Sequence, residues 1–154
     1  MNREIKFRGK PCYKGVKTWP WIYGTFQYIA QRRVNPGGTD NGTLVPRVDK
    51  GRIVDLYGNK TEVLCDTVGQ FTGLYDKNGK EIYEGDIVAL AFQDIAFGIV
   101  TWHDNGYFFI DTSNGEWRRF SNDFRTLGEF MNMSNEHKIK VIGNIHDNPE
   151  LLKQ

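Results

Sequence analysis

Three histidines, two cysteines and a cluster of acids near the middle of the chain are the residues best able to carry turnover, and their spacing argues against it. His103, His137 and His146 belong to no HExxH, HxH or GxSxG pattern. Cys12 and Cys65 stand 53 positions apart, so a zinc centre would have to be assembled wholly by tertiary structure. Glu81, Glu84 and Asp86 place three carboxylates within six positions, a density that could hold a cation or form an acid/base pair. A plainer role suits them. Glu81 can pair across a hairpin with Lys77 or Lys80, and Asp86, opening a strand after Gly85, can accept hydrogen bonds from turn amides. His103 ahead of Asp104-Asn105-Gly106 and His146 ahead of Asp147 read as turn histidines. The Gly/Pro/Asn-rich run from Asn35 to Gly42 lacks the Lys-Ser/Thr that closes a P-loop, and no helical pattern follows it. These residues favour a protein that is not an enzyme and that holds no metal or cofactor.

Rings flanked by cations offer a second kind of chemistry, because nucleic-acid-binding barrels stack bases on exposed aromatics beside Lys or Arg. The candidates are Trp19 and Trp21 behind a basic loop, Arg32 and Arg33, and the run Trp117-Arg118-Arg119. The competing use of such rings is to fill the interior of a barrel of short strands. Charge is split along the chain. Residues 1–60 hold 12 Lys/Arg against Glu4, Asp40, Asp49 and Asp55, a balance of +8, while residues 61–154 hold 8 against 15, a balance of −7. Halves of opposite sign can attract within one fold or across a subunit contact. The basic half can instead meet a polyanion.

Positioning these residues falls to strands, since alternation of period two runs through most of the chain and a helical period is nearly absent. Ile5 and Phe7 alternate with Glu4, Lys6 and Arg8 up to Gly9, and a second strand spans Trp21 to Ile29, with Gly24 where a bulge or close backbone approach is expected. Residues 35–42 form an exposed loop. Thr43–Val48 and Arg52–Tyr57 read as two strands separated by Asp49-Lys50-Gly51, and Glu62–Cys65 as a third after a turn. Gln70–Tyr75, a turn in which Asn78-Gly79 supplies positive φ, and Glu81–Tyr83 make a hairpin. Asp86–Phe92, Phe97–His103, Tyr107–Asp111 and Lys140–Ile145 follow, with Phe108 and Ile110 on one face and Phe109 on the other. Helical spacing is confined to a turn or two within Asp123–Met133 and a final turn that starts at Pro149. Short antiparallel strands and tight turns of this kind describe small closed barrels.

The chain is 154 residues long, enough for one domain or two small sub-barrels, and 14% of it is aromatic, far too rich for disorder. The expected fold is mainly β, in two barrel-like parts: a basic amino part, residues 1–68, and a carboxyl barrel, residues 69–154, ending in a short helical turn. Charges interrupt the apolar character of the amino end, no apolar run approaches the roughly 18 residues of a membrane span, and two thiols without CxxC spacing suit a reducing compartment better than a disulfide scaffold. A cytoplasmic protein with no membrane partner is expected.

Arg3-Glu-Ile-Lys-Phe-Arg-Gly9, Trp21-Ile-Tyr-Gly24, the block from Gly69 to Val88 and the tail from Val141 to Leu152 together resemble the YopX family of phage and prophage proteins. The resemblance implies a mostly β fold of two barrel-like parts, a bacteriophage or prophage source and no established biochemical activity. It supplies no catalytic motif. The functional expectation is a protein-interaction or self-assembly module acting as a homo-oligomer in a bacterial host cell. The alternative is a nucleic-acid binder using the basic amino half and exposed rings.

Overall fold

A computed structural model of the chain describes residues 4–12, 20–34, 37–38, 40–90, 96–111, 126–131 and 139–153. Among these the chain is mainly β, every strand pairing is antiparallel, and the only α-helix is five residues long. Two compact units divide it, Ile5–Gln70 and Phe71–Gln154 with Met1–Glu4.

In the first unit β1 (Phe7–Gly9), β2 (Ile22–Val34), β3 (Asp40–Val54) and β4 (Lys60–Val63) are neighbours in chain order, with the start of β5 (Gly69–Tyr75) against the other edge of β1. Alternation divides this sheet into an apolar face and a polar face. Gly9, Pro11, Gly51, Ile53 and Val63 are buried on the apolar face, where Phe7 and Phe26 meet at 5.9 Å between ring centroids. Gly51 lies under the Phe26 ring, and Cβ at Gly24 would overlap the Val54 carbonyl oxygen, so β2 and β3 approach there as only glycine permits. Glycine at 24 thus has the close-approach role its setting in the strand predicts.

The sequence predicts two strands within 43–57, and the structure forms one. β3 runs straight through Asp49-Lys50-Gly51, and the register moves from Tyr28↔Gly51 to Ile29↔Arg47, leaving Val48, Asp49 and Lys50 as an insertion in the ladder. The turn-forming residues make a bulge instead of a reversal because β2 also continues beyond Ile29, to Val34, and goes on pairing. Leu56 and Tyr57 fall in the following turn, and Cys65 begins a 3-10 turn, Cys65–Thr67, that caps the far end of β4. β4 is met by the continuation of β1: Pro11 bridges Val63, the Cys12 amide donates to the Glu62 carbonyl at 2.9 Å and the Leu64 amide to the Lys10 carbonyl at 2.9 Å. This contact bends the sheet toward a barrel without closing a full ladder, which is where the structure departs from the closed barrels expected.

The second unit holds the remainder of β5 with β6 (Glu81–Tyr83) and a four-stranded sheet in the order β10 (Ile139–Asn144), β7 (Asp86–Leu90), β8 (Ala96–His103), β9 (Tyr107–Asp111). That sheet is open. Its core gathers Ile82, Val88, Val100, Phe108, Ile110, Leu127 and Ile139, and Phe108 and Ile110 point inward from β9 as their alternation with Phe109 requires. In the β5–β6 turn Gly79 alone takes positive φ, whereas Asn78 does not. Asp76 replaces the second positive-φ position, its Oδ1 accepting from the Asn78 and Lys80 amides at 2.7 and 2.9 Å. The helical signal in 123–133 resolves into α1 (Leu127–Met131). The Thr126 hydroxyl accepts from the Glu129 amide and the Glu129 carboxylate from the Thr126 amide, a reciprocal capping box. The final 3-10 turn spans Pro149–Lys153, starting at the proline.

Candidate functional site

The β3–β4 turn, residues 55–59, displays the most exposed apolar side chains among the described residues. Leu56 is 97% and Tyr57 90% exposed. The turn beneath them is tightly made. Asp55 Oδ1 accepts from the Tyr57 amide at 2.8 Å and the Asn59 amide at 2.9 Å, its Oδ2 accepts from Asn59 Nδ2 at 2.9 Å, and Gly58 supplies positive φ. The Asn59 side chain, and with it the amides of Asn59, Tyr57 and Gly58, holds the Asp55 carboxyl below the usual aspartate range against a smaller opposing effect of desolvation. Because the folded value is the depressed one, the order this carboxylate gives the turn is present above its unfolded value and is lost as pH falls through its folded value. Asn59→Ala should therefore move the Asp55 carboxyl upward toward its ordinary value in a carboxylate NMR titration, and an unmoved titration would contradict the assignment.

At the opposite end of the same hairpin is a cleft of about 400 Å³ with a mainly apolar lining, bounded by Cys12, Lys50, Glu62, Leu64, Cys65 and Asp66. Sequence spacing gave no reason to bring the two thiols together. They share this cleft because Lys10–Cys12 pairs with Glu62–Leu64, a contact between segments some fifty positions apart that no local pattern announces. Among the described residues no group of three or more His, Cys, Asp or Glu side chains is placed to hold a metal ion.

The polar face of the first unit carries the cation-and-ring chemistry. Lys6, Arg8 and Lys10 alternate along β1 and its flanks, and the register Arg8↔Tyr23 sets them beside Trp21 and Tyr23. The Arg8 guanidinium carbon and the Lys10 Nζ each lie 4.5 Å from the Trp21 ring centroid, and Lys6 Nζ lies 5.6 Å from that of Tyr23. Of the binding residues expected from sequence, Trp21 is half-buried on this face. Arg32 and Arg33 lie in the distal part of β2, where Arg32 pairs with Leu44, and their side chains are outside those described. Trp19, Trp117, Arg118 and Arg119 lie outside the described residues. Sequence reading missed Arg8 and Lys10 as the partners of Trp21, and the pairing of Lys6 with Tyr23. The alternation of Lys6, Arg8 and Lys10 was visible, but the register that joins it to the rings was not.

The central acids have structural partners. Asp86, 1% exposed, accepts from the Tyr83 amide at 2.8 Å, as its place after Gly85 suggested, and Glu81 Oε2 accepts from the Tyr83 hydroxyl at 2.7 Å. His103 is a turn histidine: its Nδ1 accepts from the Asn105 amide at 3.1 Å, and its ring stacks on Tyr107 at 4.7 Å. Near His146, the Asn144 side chain accepts from the amides of His146 and Asp147.

Residues 24–153 match the family model described as YopX protein. The chain belongs to the YopX family. The YopX match takes in the exposed turn and every lining residue of the cleft except Cys12, whereas Lys6, Arg8, Lys10, Trp21 and Tyr23 precede it. A solved structure, the crystal structure of protein EF1440 from Enterococcus faecalis, is similar at 22% identity and a TM-score of 0.48, over 98% of this chain and 99% of that one. No curated protein matches the chain. Among the described residues, no helix of this YopX chain is long and apolar enough to cross a membrane.

Proposed function

We propose that this YopX-family chain is a non-enzymatic self-assembly module, in which the Leu56-Tyr57 turn of one copy seats in the cleft beside Leu64 and Cys65 of the next. The observation that carries this reading is the pair of apolar side chains held almost wholly in water on a turn fixed by Asp55. Displaying such a pair costs free energy unless a partner covers it. The turn cannot reach its own cleft. Four paired positions of β3 and β4, Gly51↔Val63 to Val54↔Lys60, separate them, roughly 10 Å at about 3.4 Å per residue. Turn and cleft are different surfaces, so the contact is heterologous and repeats into a ring or a filament.

This reading relocates the attraction from the opposite charges of the two halves to an apolar contact within the first unit. Of the fifteen carboxylates of the acidic half, Asp76 and Asp86 are buried on backbone amides, so they add nothing to a charged contact. A phage or prophage source and a cytoplasmic setting in a bacterial host belong to the same proposal, on the strength of the family resemblance.

Light scattering after size exclusion, at about 0.1 M and 1 M salt, tests it. An apolar contact survives salt that shrinks the screening length from roughly 10 Å to 3 Å, whereas a contact made by the opposed charges of the halves dissociates. Leu56→Asp and Leu64→Asp should each give monomers, and mixing the two should restore a dimer through the one intact turn and the one intact cleft. A wild-type monomer, or variants that assemble normally, would end the proposal.

A further inference from the structure

We infer that the polar face of the first unit is a binding site for single-stranded nucleic acid, with Tyr23 as the stacking platform and Lys6, Lys10, Arg52 and Lys60 as phosphate partners. Register places these groups together. Phe7↔Gly24 and Arg8↔Tyr23 set Lys6, Arg8, Lys10, Trp21, Tyr23 and Thr25 on one face, Thr25↔Val54 and Gln27↔Arg52 extend that face to β3, and Val54↔Lys60 and Arg52↔Glu62 extend it to β4. Among the described first-unit positions of this face, five cations, Lys6, Arg8, Lys10, Arg52 and Lys60, stand against one carboxylate, Glu62. Lys6, Arg8 and Lys10 repeat every second residue, roughly 7 Å apart along the strand direction, and Lys60 lies three strands away at about 4.8 Å per strand.

The rings have different parts. Trp21 is half-buried between two cations, and Arg8, 5% exposed, is fixed beneath it, so this pair positions the face without offering a platform. Tyr23 is 42% exposed, with Lys6 at its ring. A base laid on Tyr23 brings its own phosphate within reach of Lys6, whose ammonium can turn outward from the ring to meet it. Stacking on a flat ring needs an unpaired base, and this selects a single strand over a duplex. A polyanion without rings, such as an acidic peptide, would satisfy the cations and leave Tyr23 without a role. Lys60 borders the turn and Glu62 borders the cleft, whereas Tyr23, Lys6 and Lys10 belong to neither, so the variants that test the inference are placed at these three.

Fluorescence anisotropy with labelled dT20, rU20 and a 20-base-pair DNA duplex, titrated with the full chain between about 50 and 300 mM salt, tests the inference. The expected result is binding to dT20 or rU20 that exceeds binding to the duplex and weakens steeply with salt. The double variant Lys6→Ala/Lys10→Ala should bind at least tenfold more weakly at 50 mM salt, with the slope of log affinity against log salt reduced by about 1.4, two cations at about 0.7 each on a single strand. Tyr23→Ser should lose about tenfold with the slope unchanged, because it removes stacking and no charge. Repeating these titrations with Leu56→Asp keeps assembly out of the measurement. No binding at 50 mM salt, equal competition by polyglutamate, or an unaffected Tyr23→Ser would overturn the inference.

Discussion

Replacing Asp76 with alanine should destabilise the second unit by about 3 kcal/mol, measured as a shift in its urea unfolding midpoint. The carboxylate is buried and accepts three backbone amides. Two belong to its own turn, and the third, Val141 at 3.0 Å from Oδ2, arrives from a strand 65 positions away. Alanine removes the acceptor and leaves three part-buried hydrogen bonds unmade, at about 1 kcal/mol each. The loss extends beyond the turn, because the Lys77 amide donates to the Ile139 carbonyl at 3.1 Å in the same seam between the β5–β6 turn and β10. Asp76→Asn separates the contributions. Its amide oxygen can still serve the Asn78 and Lys80 amides, but an NH2 group then faces the Val141 amide, so about half of the loss is expected. An Asp76→Ala protein that unfolds with the wild type would show that the seam contributes nothing.

Gly24→Ala should cost the first unit about 3 kcal/mol or more, read by the same unfolding measurement. A methyl group there would overlap the Val54 carbonyl oxygen, which is backbone and cannot rotate away, and would also press on Ile53 Cγ2 at 3.0 Å. β2 and β3 would have to part where Thr25 pairs with Val54, on the strand that carries the exposed turn. Gly37→Ala is the matched control: Gly37 is exposed, its added Cβ would meet nothing within 4 Å, and a change within about 0.5 kcal/mol is expected. Equal losses at the two positions would mean that backbone entropy, and not the close approach, sets the cost.

What could be read from the residues was whatever depends on neighbours in sequence. Alternation placed Phe108 and Ile110 inward and Phe109 outward, Pro149 marked the start of the last helical turn, and Gly85 set the reversal that lets Asp86 accept from a turn amide. The Thr126-to-Glu129 spacing was also legible as a capping box and would have fixed the start of α1. What could not be read depends on register. Asp49-Lys50-Gly51 has the composition of a turn, and only the continued pairing of β2 turns it into an insertion within one strand. Leu56 and Tyr57 look like strand residues, yet Asp55, Gly58 and Asn59 draw them into a turn and leave them in water. The union of Cys12 with Cys65, and of Lys6 with Tyr23, follows from strand pairings whose partners nothing local specifies.

The bridge between Pro11 and Val63 bears on how the protein is made. Residues 10–12 leave the ribosome long before 62–64, so during synthesis the first unit waits with its apolar face uncovered until the β3–β4 hairpin has emerged. That hairpin is local and can form within microseconds, whereas the bridge must close a loop of about fifty residues. A nascent chain stalled before Val63 therefore leaves Ile53 and Phe26 uncovered, and chaperone capture should peak at that length and fall once the bridge can form.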